Sequence, residues 1–175
     1  MDIQFTQDWW KRTTADESKL IAWLMKLHGT ELGGYDDYST FLTDYLPDER
    51  TSKILTNIAE DEKKHANLIA SMLDGRGYRL YQAQPSEYWA ALDSHITDIT
   101  SACAANYYGE ALAAFRFEVI IDMPCTPKDV KEILNIILPD EQFHRTTLKR
   151  MAGDEQLEKF KAIHEDAMAK LKGKK

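Results

Sequence analysis

Apolar residues recur along most of the chain at the three- and four-residue spacing that lines one face of an α-helix. Between about Asp16 and Leu46 the stripe reads Leu20, Leu24, Leu27, Tyr35, Tyr38 and Leu42. A second stripe carries Leu55, Ile58, Ile69 and Met72. A third carries Ile96, Ile99, Cys103, Tyr107, Ala114, Phe117 and Ile121. The fourth carries Val130, Leu134, Ile137, Leu148 and Met151. No segment alternates apolar and polar residues between hairpin turns, so the pattern predicts an all-α protein.

Turn and breaker residues set the boundaries. Thr14 or Asp16 caps the first helix and Pro47 stops it; Asp48, followed by Glu49 and Arg50, caps a second that ends around Gly75 and Gly77. The stretch YRLYQAQP has no helical period and closes at Pro85. Ser86 then caps a third helix that runs to Asp122, before Pro124. Thr126 is the expected cap of the fourth, with Pro127 at its first position, where the missing N–H costs little. That helix ends near Gly153, and Asp154 to Leu171 forms a shorter fifth. Tight links pair the first helix with the second and the third with the fourth as antiparallel hairpins. The longer link between the hairpins could reach about 30 Å and suits a crossover. Pro139, inside the fourth helix, is expected to kink it near Asn135.

At 175 residues the chain is one domain, 1–175, with its core in about 16–152. A net charge of −7 argues against a nucleic-acid partner. Lys170, Lys172, Lys174 and Lys175 read as a solvated helix end rather than a basic patch. No apolar run approaches the roughly 20 residues of a membrane span. The opening MDIQFTQDWWKRTT lacks the layout of a secretory signal, so a cytoplasmic compartment is expected. Cys103 and Cys125 form no CxxC motif, which removes a zinc ribbon or rubredoxin-type site and leaves reduced thiols as the expectation.

The chemistry lies where the stripes stop being apolar. Near its middle the first is interrupted by Glu31, the second by Glu62 and His65, the third by Glu110 and the fourth by Glu141 and His144. Ionised carboxylates facing a core are costly unless compensated. Two divalent cations would neutralise four glutamates, and two imidazoles favour iron, manganese, cobalt or zinc over calcium or magnesium. Asp61-Glu62-Lys63-Lys64-His65 and Asp140-Glu141-Gln142-Phe143-His144 share the pattern Asp-Glu-x-x-His. Residues three apart lie on one helix face, so each motif can present two ligands together. One offset of 79 positions maps Glu31, Asp61, Glu62 and His65 onto Glu110, Asp140, Glu141 and His144. This is a two-fold repeat of a helical hairpin.

These motifs resemble the ferritin-like di-iron carboxylate superfamily: bacterioferritins, rubrerythrins and small di-iron oxygenases. The resemblance covers roughly residues 16–152 and implies a four-helix bundle of two antiparallel hairpins joined by a crossover, with a short C-terminal fifth helix. It implies that Glu62 and Glu141 bridge two iron ions, or a manganese–iron pair. Glu31 and Glu110 would be terminal ligands, and His65 and His144 would bind one metal each. Asp61 and Asp140 would each hold the spare N–H of a histidine from the opposite hairpin; the alternative is that they are ordinary exposed helix aspartates. Tyr35 and Tyr107 are candidates for electron relay or for hydrogen bonds to a carboxylate, with Tyr38 beside them, although packing explains such aromatics as readily. His28, one turn before Glu31, is an extra ligand or a core residue, and Glu118 is a substitute for Glu110.

The activity implied is a non-haem di-iron oxidoreductase that uses O2 or peroxide on a small organic substrate, with an external electron donor. A ferroxidase or iron-storage protein acting on Fe(II), or a rubrerythrin-like peroxidase, is the alternative. Lys63 stands where bacterioferritins carry their haem-ligating methionine, so no haem is expected. Ala113 stands where rubrerythrins carry an additional glutamate. A hydroxylase would be a monomer or dimer, a storage protein a larger homo-oligomer.

Overall fold

The computed structural model describes residues 2–81 and 87–173, and all regular structure among them is helical. Helix α1 spans Ile3–Thr14, α2 Glu17–Asp44, α3 Glu49–Gly75, α4 Glu87–Asp93, α5 Ile99–Asp122 and α6 Lys128–Gly173. No helix among the described residues is long and apolar enough to cross a membrane. Pro85 and Ser86, expected to close a link and cap a helix, and Lys174 and Lys175 lie outside the described residues.

Local chemistry explains most of the ends. The Asp16 carboxylate accepts from the Ser18 N–H at 3.0 Å, and Asp48 accepts from Thr51 at 2.8 Å, as N-caps do. Helix α3 stops in a Schellman motif: Tyr78 N bonds the Leu73 carbonyl, Gly77 N bonds Asp74, and Gly77 takes φ +79°. The Arg76 guanidinium then grips Asp129 at 2.7 and 2.8 Å and Glu17 at 3.1 Å, tying the end of α3 to the starts of α6 and α2. At Gly153 the backbone leaves helical angles (φ +73°, ψ 161°), which redirects the tail of α6 and matches the expected break.

Several expectations need correction. Helix α1 was not foreseen; the Asp2 side chain caps it by accepting from Phe5 N, and buried Trp10 anchors it. The third expected helix is two helices, because Asp98 and Ser101 form a capping box that starts α5 afresh. Thr126 does not cap α6. Its hydroxyl donates to the Ile120 carbonyl and accepts from Trp10 Nε1 at 2.8 Å, and α6 opens beside Pro127, whose carbonyl takes Lys131 N. Pro139 lies inside α6, but the residue that departs from helical angles is Gly153, not Asn135.

The core is split in two. Leu20, Leu24, Ile69, Met72, Phe117, Ile120, Leu134 and Ile137 form one apolar cluster, closed by Trp10 of α1. Tyr38, Phe41, Leu55, Ile58, Cys103, Leu148 and the tail residues Leu157 and Phe160 form the other, with Tyr88 and Leu92 of α4. The start of α2 thus meets the end of α3, and the end of α5 meets the start of α6, so each pair is antiparallel. Between the two clusters lies a layer of buried polar side chains. Cys103 is buried and Cys125 exposed, both as free thiols.

Candidate metal centre

The polar layer consists of the six residues that interrupt the stripes. Glu31, Glu62, Glu110 and Glu141 are 2–8% exposed, and His65 and His144 are fully buried. Helix α2 supplies Glu31, α3 supplies Glu62 and His65, α5 supplies Glu110, and α6 supplies Glu141 and His144. Their donor atoms form two overlapping groups, Glu31, Glu62, His65, Glu141 and Glu62, Glu110, Glu141, His144, with all atoms of a group within 4.8 Å of one another. Glu62 and Glu141 belong to both.

The histidines face inward through Nδ1. Nδ1 of His65 lies 3.2 Å from Glu31 Oε2 and 3.3 Å from Glu141 Oε1. Nδ1 of His144 lies 3.1 Å from Glu62 Oε1 and 4.0 Å from Glu110 Oε1. Outward, Nε2 of His65 is 3.1 Å from Asp140 Oδ2, and Nε2 of His144 is 3.4 Å from Asp61 Oδ2. Each aspartate therefore serves a histidine from the other helix pair. The Lys64 ammonium sits over this face, 2.9 Å from Asp140 and 3.8 Å from Asp61. Sequence reading missed Lys64; its position inside the first Asp-Glu-x-x-His motif was the available signal.

Carboxylates packed this closely in a buried layer shift one another's protonation. Burial, then the Glu141 charge, raises the Glu31 carboxyl, and burial followed by neighbouring carboxylates pushes Glu62 and Glu110 well up. For Glu141 burial acts upward, but hydrogen bonds with His65 and Glu110 outweigh it and the result is lowered. Burial depresses His65, yet its bonds to Glu141 and Glu31 bring it up to about 10. His144 is lowered, chiefly by burial.

Metal ions fit this arrangement. Glu62 Oε1 and His144 Nδ1 are buried without a hydrogen bond, although they approach to 3.1 Å, because the atoms are misaligned for one. Buried polar atoms are rarely left so. Donor atoms that converge without bonding one another are an arrangement that suits a cation. Gly34 gives the layer room: a Cβ there would stand 3.2 Å from Cγ and Oε2 of Glu62.

The aromatic candidates fare differently. Tyr38, buried, donates to Glu110 Oε1 at 3.4 Å. Tyr35 is half-buried with the Lys63 ammonium 4.7 Å from its ring centroid, and Tyr107 packs on Tyr108 at 4.9 Å. Among the described residues neither of their hydroxyls bonds a ligand carboxylate. His28 is half-buried and outside both donor groups. Glu118 is exposed and accepts from Gln142 at 2.9 Å. Comparison of the chain with protein-family models, with curated proteins and with solved structures finds no match.

Proposed function

We propose that the chain is a ferritin-like four-helix bundle holding two metal ions, iron first among them. It acts as a non-haem di-iron oxidoreductase that uses O2 or peroxide to oxidise a small organic substrate. The observation carrying this reading is that two four-residue donor groups share Glu62 and Glu141. Glu62 and Glu141 would serve both ions, with Glu31 and His65 holding one and Glu110 and His144 the other. Carboxylate and imidazole donors in this ratio suit iron or manganese. Bound there, a pair of iron ions supplies one-electron chemistry from each ion toward O2 or peroxide.

The protein's own residues prepare that chemistry. Asp140 and Asp61 take the Nε2–H of His65 and His144, which fixes the tautomer and directs each Nδ1 lone pair inward. Tyr38 holds Glu110 through its hydroxyl. The apolar clusters above and below keep bulk water out and strengthen every charge interaction between them. The Lys64 ammonium pairs with Asp140 and Asp61 and holds both carboxylates on the histidine face.

The test is to load the protein with ferrous iron without oxygen, remove unbound metal and count ions per chain. About two are expected of such a six-ligand cluster. Glu62→Ala and Glu141→Ala should each lower the count. One ion or none in the unaltered protein would refute the paired site. Elution as a large hollow multimer would turn the reading toward storage.

A further inference from the structure

A second buried pair of ionisable groups lies outside the Glu/His layer. Tyr88 of α4 is buried, and its hydroxyl oxygen is 2.7 Å from Nδ1 of His164 on the tail of α6. Burial lowers the His164 imidazole and raises the Tyr88 phenol. At neutral pH the ring is therefore uncharged and the phenol keeps its proton, so the hydroxyl donates and Nδ1 accepts. Tyr108 stacks on His164 with centroids 4.8 Å apart and fixes its own hydroxyl on the Leu157 carbonyl at 2.9 Å.

The pair is connected in two directions. Inward, Tyr88 meets Trp89 edge to face at 5.6 Å, and the Trp89 ring lies directly on the backbone of Gly109, where a Cβ would come 1.9 Å from Cη2. The next residue is the ligand Glu110. Outward, residues flanking the pair line an open cleft of about 460 Å³ between α4 and the α6 tail, including Ala91, His95, Ala162 and Ile163.

We propose that Tyr88 and His164 form a proton-coupled one-electron relay, joined through Trp89 to the Glu/His centre and open on the other side to a small reductant in the cleft. This rests on the di-iron reading above. The oxidant is the centre after its reaction with O2 or peroxide. Tyr88 gives it one electron while the phenolic O–H bond breaks and the proton passes to His164 Nδ1, leaving a neutral tyrosyl radical beside an imidazolium. A one-electron organic reductant in the cleft refills the radical, and the proton returns to the phenolate oxygen.

The pair can be tested without any metal. Flash photo-oxidation of the metal-free protein with a ruthenium tris-bipyridine sensitiser and a cobalt(III) quencher should give a long-lived tyrosyl signal in electron paramagnetic resonance. Tyr88→Phe should abolish that component, His164→Gln should shorten its life, and D2O should slow its formation. An identical long-lived signal in both variants would overturn the relay. In the iron-loaded protein, Tyr88→Phe should keep the full iron count yet lose the radical formed with O2. Iron bound and O2 consumed with no tyrosyl radical in the unaltered protein would sink the relay and leave the di-iron reading standing. Failure to bind iron would sink the di-iron reading and the coupling to it, while the flash experiment still decides the pair.

Discussion

Nε2 of His65 on α3 lies 3.1 Å from Oδ2 of Asp140 on α6, and the reciprocal contact joins His144 on α6 to Asp61 on α3. Each helix pair thus orients the other's imidazole, so neither histidine is positioned until both pairs have docked. The two outer contacts are local in space and distant in sequence, which makes the centre a product of the assembled fold.

Asp140→Asn and Asp61→Asn should each weaken metal binding roughly 10- to 100-fold, the usual cost of losing the partner that fixes a ligating histidine. Competition against a chelator of known affinity measures it. Unchanged affinity in both would return these residues to the role of ordinary surface aspartates.

Metal loading should release protons and tighten as pH rises. Burial holds the Glu31, Glu62 and Glu110 carboxyls above their usual range, and hydrogen bonds to Glu141 and Glu31 overcome burial to hold His65 at about 10. Ligand atoms must shed those protons to bind a cation. Titration calorimetry in buffers of different ionisation enthalpy reads the release; a heat independent of buffer would contradict it.

Two glycine substitutions separate the Glu/His layer from its packing. In Gly34→Ala the new Cβ would press on Glu62 at 3.2 Å, so metal occupancy should fall while helicity is kept. In Gly109→Ala the collision is with the Trp89 ring, and overpacking should cost about 1–3 kcal/mol in chemical denaturation. Full metal occupancy in Gly34→Ala would mean that Glu62 has slack on that side.

Leu46→Gly should stabilise the protein. Leu46 follows the end of α2 at φ +42°, a left-handed conformation that glycine adopts without strain, and its side chain is 79% exposed, so little packing is lost. A gain of up to about 1 kcal/mol, or roughly 2–4 °C in Tm, is expected. A lower Tm would show that the exposed leucine does more than the burial suggests.

The helical phase carried most of what the sequence revealed. Glu62 and His65 lie in one line with Leu55, Ile58, Ile69 and Met72, and all six are buried. Which of the three flanking tyrosines reaches a carboxylate was not legible, because that depends on a partner distant in sequence. Tyr38 reaches Glu110 from another helix, while Tyr35 and Tyr107, closer in sequence to a ligand, bond no ligand carboxylate. Thr126 looked like a cap because Pro127 follows it, but the indole of Trp10 and the Ile120 carbonyl claim its hydroxyl. The break before α5 was legible in principle, since Asp98 and Ser101 have capping-box spacing, yet the apolar stripe running past them masked it.

The 79-residue offset pairs Lys64 with Phe143 and Tyr38 with Phe117, so the repeat is broken on both sides of the layer. Lys64 lies closest to the aspartate behind His65, whereas Phe143 is 60% exposed and brings no charge to the other half. Two ions with equal sets of oxygen and nitrogen neighbours would then differ in potential. A dimer of identical hairpins could not achieve this, because its symmetry axis would force both positions to be equal. Joining two copies in one chain is what allows them to diverge.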